Sequence, residues 1–147
     1  MSKVNILIAE DDRDDYELLK EAIHHVLPKF NVQRAEHGEE LLKAINEKAE
    51  PDVIFLDLNI PRKNGFDCLI ELRQKEWLSS TPIVIYSTSA HFEDIDRCYK
   101  SGCTLYLVKP TSFKEMVIQV KQVFHRLGLP KAELRVKERF VVKKEQA

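Results

Sequence analysis

Glycine is scarce in this chain, with 4 in 147 residues, and none stands in the acidic run after the first apolar stretch. A loop that cradles a nucleotide phosphate with backbone amides needs glycines or hydroxyls there, so FMN and dinucleotide binding are disfavoured. Cysteine is also little used. Cys68, Cys98 and Cys103 form no Cys-x-x-Cys pair, and their odd number argues against a disulfide framework, so all three are expected as reduced, packed thiols. An excess of one charge is missing as well: Lys+Arg 23 against Asp+Glu 24 leaves a net charge of -1. A nucleic-acid binder driven by bulk positive charge is thereby disfavoured, and no direct DNA binding is expected. No apolar run approaches the roughly 18 residues of a membrane helix, so no membrane association is expected. The start, MSKVNILIAEDD, lacks the order of a signal peptide, and a soluble, cytoplasmic protein is the expectation.

What the chain does have is alternation. Short β-branched runs are followed by longer segments of helical period, the pattern of βα units around a parallel sheet. Five strands fit: Val4 to Ala9, Val32 to Ala35, Val53 to Leu56, Ile83 to Tyr86 and Leu105 to Val108. The third is apolar at every position, as a central strand covered on both faces should be. The first helix is expected to bury Leu18, Leu19, Ala22, Ile23 and Val26 before Pro28 stops it. The second buries Leu41, Leu42 and Ile45, and the third presents Leu69, Ile70 and Leu72. In the last helix Phe113, Met116, Val117, Val120, Val123, Phe124 and Leu127 recur at three- and four-residue steps, and Gly128 closes it. At 44% hydrophobic residues and this length, one α/β domain over residues 3–128 with a single fold is expected.

The informative residues lie where strands end. Ligands of an open parallel sheet bind outside its carboxyl edge, and there stand Glu10, Asp11, Asp57, Ser87 and Lys109. If the first and third strands are neighbours, the carboxylates of Glu10, Asp11 and Asp57 converge, which is costly without a compensating charge. A hard divalent cation compensates well, and Mg2+, which takes a few carboxylates and keeps several waters, suits an open pocket. Asp12, Asp14 and Asp15 read instead as solvated acids at a helix start. Asp57-x-Asn59 lacks the second acid of the Asp-x-Asp pair used by haloacid-dehalogenase-like phosphatases.

These residues carry a resemblance. Glu10-Asp11 after strand one, Asp57 within Leu56-Asp57-Leu58-Asn59-Ile60-Pro61-Arg62-Lys63-Asn64-Gly65, Ser87 after strand four and Lys109-Pro110 after strand five match in order and spacing. Over about residues 3 to 127 the chain resembles the receiver domain of two-component response regulators, the chemotaxis-regulator-like and phytochrome-partner-like single-domain members included. The resemblance implies a flavodoxin-like fold, a five-stranded parallel sheet of order 2-1-3-4-5 with helices on both faces. It implies that Asp57 is the phosphoacceptor and receives its phosphoryl group from a histidine kinase or phosphotransfer protein in a phosphorelay. It implies Mg2+ held by Asp11, Asp57 and the backbone carbonyl of Asn59, with Glu10 acting through water. Lys109 and Ser87 would pair with phosphoryl oxygens, and Tyr106 would be the switch aromatic that follows Ser87 inward, read by a downstream protein target. The protein would then be a phosphoacceptor taking part in its own phosphorylation and dephosphorylation rather than an enzyme. The second reading is a receiver-like interaction module that works without phosphorylation.

Two positions depart from the pattern. The acidic pair begins with Glu10 rather than aspartate, and Thr88 stands where the family often has alanine. Beyond the domain, residues 129–147 carry six bases (Lys131, Arg135, Lys137, Arg139, Lys143, Lys144) against three acids (Glu133, Glu138, Glu145). This basic tail is expected either as a dimerisation arm, giving a homodimer, or as a disordered extension.

Overall fold

A computed structural model describes residues 3–46, 50–128 and 141–142. In chain order the elements are β1 (Val4–Ala9), α1 (Arg13–Val26), β2 (Phe30–Ala35), α2 (Gly38–Ala44), β3 (Val53–Leu56), α3 (Gly65–Arg73), a 3-10 turn (Glu76–Leu78), β4 (Ile83–Ser87), α4 (Phe92–Lys100), β5 (Leu105–Val108), α5 (Phe113–Leu127) and β6 (Val141–Val142). The strands form one parallel sheet of order β2-β1-β3-β4-β5-β6. The five expected strands stand in the expected order, and the correction is a sixth. Val141–Val142 pairs parallel with Tyr106 and Leu107 on the edge of β5. Tail residues 129–140 and 143–147, which bear most of the arm-or-disorder reading, lie outside the described residues.

Alternation along the strands divides the core in two. Leu7, Ala9, Ile54, Leu56, Ile83 and Ile85 face α2, α3 and α4, where Leu41, Cys68, Leu69, Leu72 and Cys98 meet them. Ile6, Ile8, Val53, Phe55 and Val84 face α1 and α5, where Leu19, Ile23, Val120, Val123 and Phe124 close the other layer. Burial on both faces is why β3 is apolar throughout. All three cysteines are free and buried, and the burial pushes the Cys68 thiol up to about 11.

Caps fix the helix starts. Asp12, His37, Asn64 and Ser112 each accept a backbone N–H three residues on. Gly128 ends α5 in the left-handed region at φ 58, donating to the carbonyls of Phe124 and His125. Three residues expected inside are exposed: Leu18 (44%), Ile70 (41%) and Phe113 (37%). At 100° per residue, Leu18 falls off the stripe set by Tyr16, Leu19 and Ile23. Ile70 likewise falls off the stripe of Cys68, Leu69 and Leu72. Phe113 is the first residue of its helix, short of the sheet-facing stripe that Met116 begins. Among the described residues, no helix is long and apolar enough to cross a membrane.

Candidate functional site

The site forms where strand order reverses beside β1. Ala9 of β1 is paired with Leu56 of β3, so Glu10 and Asp57, the next residue on each, leave the sheet side by side. Main-chain bonds hold them there: Glu10 N donates to Ala35 O and Asp57 N to Ala9 O, each at 3.0 Å. Arg34 on β2 ties the acidic loop down, its Nε donating to the Glu10 carbonyl (3.1 Å) and its Nη2 to the Asp11 carbonyl (2.9 Å). Carboxylate oxygens of Glu10, Asp11 and Asp57 all lie within 4.8 Å of one another. Glu10 and Asp57 are buried, at 1% and 4% exposure, and Asp11 faces solvent.

Behind Asp57 the backbone is crowded. A Cβ on Gly65 would stand 2.5 Å from the Asp57 carbonyl oxygen and 2.5 Å from Leu58 Cα, so only glycine fits. Gly65 N donates to Leu58 O, and Asn59 N donates to Asp57 Oδ1 at 3.1 Å, which orients the carboxylate.

Lys109 follows β5 and reaches over β4 to the acids. Its Nζ donates to Glu10 Oε1 (2.8 Å), Asp15 Oδ2 (2.9 Å) and Asp57 Oδ2 (3.2 Å), and it lies 4.7 Å from the centre of the Tyr86 ring. Burial alone would lower the Lys109 amine's pKa. The hydrogen bond to Glu10, the charge of Asp57 and the hydrogen bond to Asp15 outweigh it and raise the pKa. Glu10 shows the reverse balance: burial, aided by the charge of Asp57, pushes its carboxyl up to about 7 despite Lys109. A buried acid that resists ionising beside another carboxylate is short of positive charge. The donor set, all hard oxygens with Asp11 open to solvent, fits a divalent cation of the Mg2+ or Mn2+ kind.

Ser87 and Tyr106 form a second grouping. Ser87 is buried at the end of β4, and its Oγ accepts the N–H of Ser89 (3.1 Å). Tyr106 is turned inward and fully buried, and its hydroxyl donates to the Ser89 carbonyl (2.8 Å). Ser89 Oγ in turn donates to Asp94 Oδ2 on α4 (2.6 Å), so strand end, loop and helix share one chain of hydrogen bonds.

The structure thus gathers Glu10, Asp11, Asp57 and Lys109, keeps Asn59 beside Asp57, and sets Ser87 with Tyr106. Asp15 differs from expectation: rather than a solvated helix-start acid, its carboxylate binds Lys109. Asp15 stands among other acids at a helix start, and its partner Lys109 lies 94 positions away in sequence, so no local signal singles it out.

Fold and acidic cluster together define an α/β domain of the flavodoxin-like class whose carboxyl edge gathers acidic oxygens suited to a divalent cation. The chain belongs to the response regulator receiver domain family of two-component systems, whose family model matches residues 6–121. It is 34% identical over 123 residues to the transcriptional regulatory protein CpxR of Klebsiella pneumoniae, covering 82% of this chain and 49% of that one. The chain therefore spans about half the length of that curated relative. Its fold matches the crystal structure of the phosphorylated cyanobacterial phytochrome response regulator RcpA with a TM-score of 0.77 and 27% identity, covering 85% of this chain and 94% of that one. The Mn(2+)-bound form of response regulator Rcp1 matches with a TM-score of 0.74 and 26% identity, covering 90% of this chain and 99% of that one. Response regulator Rcp1 of Synechocystis is 27% identical over 124 residues, covering 80% of this chain and 84% of that one.

Proposed function

We propose that this receiver domain, spanning residues 3–128, accepts a phosphoryl group on Asp57 from the phosphohistidine of a cytoplasmic histidine kinase or phosphotransfer protein. The observation that carries the reading is Lys109 Nζ 3.2 Å from Asp57 Oδ2, next to acids whose oxygens lie within 4.8 Å of one another. An Asp57 oxygen attacks phosphorus, the P–N bond of the donor breaks, and the leaving imidazole keeps its ring proton. Asp11, Asp57, the Asn59 carbonyl and, through water, Glu10 would hold Mg2+, which when bound supplies charge that offsets repulsion between the phosphoryl group and the carboxylates. The Mn(2+)-bound form of a relative supports a divalent ion in this family. Lys109 remains as the protein's own cation for the new phosphoryl oxygens.

The readout follows from the second grouping. A phosphoryl group adds nearly two negative charges and new acceptors. Ser87 donates its hydroxyl to one of them by shifting the loop that Ser89 shares with Tyr106 and Asp94, and α4 with β5 presents the change to a downstream protein or a second copy. The chain is then a stoichiometric acceptor rather than a turnover enzyme.

Incubation with phosphoramidate or acetyl phosphate and Mg2+, followed by intact-mass measurement, tests this. One added phosphoryl group is expected, absent in Asp57→Asn and suppressed by a chelator. An unchanged mass with several donors would sink the reading in favour of a module that works unphosphorylated.

A further inference from the structure

The three N–H donors of the Lys109 ammonium have three carboxylate partners, and the partners are not equivalent. Glu10 and Asp57 belong to the acid cluster that would hold a cation, and Asp57 is also the oxygen source for the phosphoester. Asp15 belongs to neither. It sits in the first turn of α1, on a backbone fixed by the bond from its own N–H to Asp12 Oδ1 (2.9 Å). The helix-dipole explanation for an acid there applies equally to its neighbour Asp14. It does not explain why the Asp15 carboxylate turns to a lysine 94 positions away in sequence.

Resting on the phosphoacceptor reading, we infer that Asp15 is a positioning residue that keeps Lys109 aimed at the phosphoryl group. When Asp57 is esterified and Glu10 turns towards a cation, two of the three acceptors of the ammonium change role. The Tyr86 ring beneath it, 4.7 Å from centre to Nζ, attracts charge without fixing the direction of any N–H. Asp15 is the partner that stays. A lysine stem has four flexible carbons, so without that anchor the amine samples positions away from the incoming oxygens. Asp15 touches neither donor nor phosphorus, and acts through Lys109 alone.

Asp15→Asn keeps the shape and removes the charge, and Asp15→Glu keeps the charge on a longer stem. With phosphoramidate at saturating Mg2+, the P–N bond breaks, the Asp57 O–P bond forms and ammonia leaves. Asp15→Asn should slow this roughly 10-fold, the scale of losing an outer-shell orienting partner, and Asp15→Glu should recover part of the rate. Affinity for Mn2+, measured by titration without any phosphodonor, should stay within about 2-fold of the parent, because Asp15 is not among the clustered acids. In a Lys109→Met background the same Asp15→Asn change should cost nothing further, an outcome that general loosening of α1 would not give. A parent-like or faster rate in Asp15→Asn, or an equal slowing on top of Lys109→Met, overturns the inference while leaving the phosphoacceptor reading in place. A parent chain that takes no phosphoryl group overturns both.

Discussion

Lys109, at the end of β5, sits 3.2 Å from Asp57 at the end of β3, spanning the intervening strand to do so. The lysine is therefore the native chain's answer to a problem of crowded negative charge. Removing it should expose that problem directly. Lys109→Met leaves Glu10 and Asp57 buried without their cation, and should destabilise the metal-free chain by about 3 kcal/mol, the low end for breaking a buried pair from one side. The same variant should bind Mn2+ more tightly than the parent, since the ion no longer competes with an ammonium. Urea unfolding with and without a chelator, and a Mn2+ titration, read the two effects.

Protonation of Glu10 sets a pH dependence of known sign. In the folded chain this carboxyl keeps its proton up to about 7, whereas unfolded it releases it in the ordinary carboxylate range. The folded state binds more protons between those limits, so metal-free stability should fall as pH climbs from about 5 to 8, by on the order of 2 kcal/mol. Glu10→Gln should flatten the slope, and Mg2+ should raise the melting temperature more at pH 8 than at pH 5. A metal-free melting temperature that rises across this range would contradict the assignment.

Gly65 permits the loop behind Asp57 to close. In Gly65→Ala the new methyl meets main-chain atoms of Asp57 and Leu58 at 2.5 Å, and backbone cannot swing aside as a side chain does. A loss of about 1–3 kcal/mol is expected, together with slower phosphoryl uptake because the displaced atoms carry Asp57 itself. Chemical denaturation and a mass time course check both.

Tyr106→Phe removes the hydroxyl that holds the Ser89 carbonyl and leaves the ring in place. The expected cost is about 1 kcal/mol, or a fall of roughly 2–4 °C in melting temperature. Phosphoryl uptake should be retained, since Tyr106 lies outside the Lys109 cluster, while any partner binding that depends on phosphorylation should weaken.

Much of this architecture is legible in the amino-acid order because two signals reinforce each other. β3 is apolar at each of its four positions and is followed at once by Asp57, and Lys109 follows the last of the five strands that alternate with helices. Where only one signal is present the sequence is ambiguous. Leu18 and Ile70 are apolar beside apolar neighbours, so helical period alone had to decide which of them faces inward, and one step of 100° moved each to the surface. Asp15 is an acid among acids in a helix start, and nothing local marks the one that turns towards a lysine brought in from β5. The closeness of Gly65 to Asp57 depends on how α3 meets its loop, which no local pattern encodes. The two-residue β6 is too short for alternation to register.

Arg34 joins an outer border of the sheet to its chemistry. Its guanidinium grips the carbonyls of Glu10 and Asp11, with the Tyr16 ring 5.1 Å below it, so the acidic loop is braced from the flanking strand. A substitution on β2 that displaces Arg34 would therefore loosen the acidic loop without touching an acid.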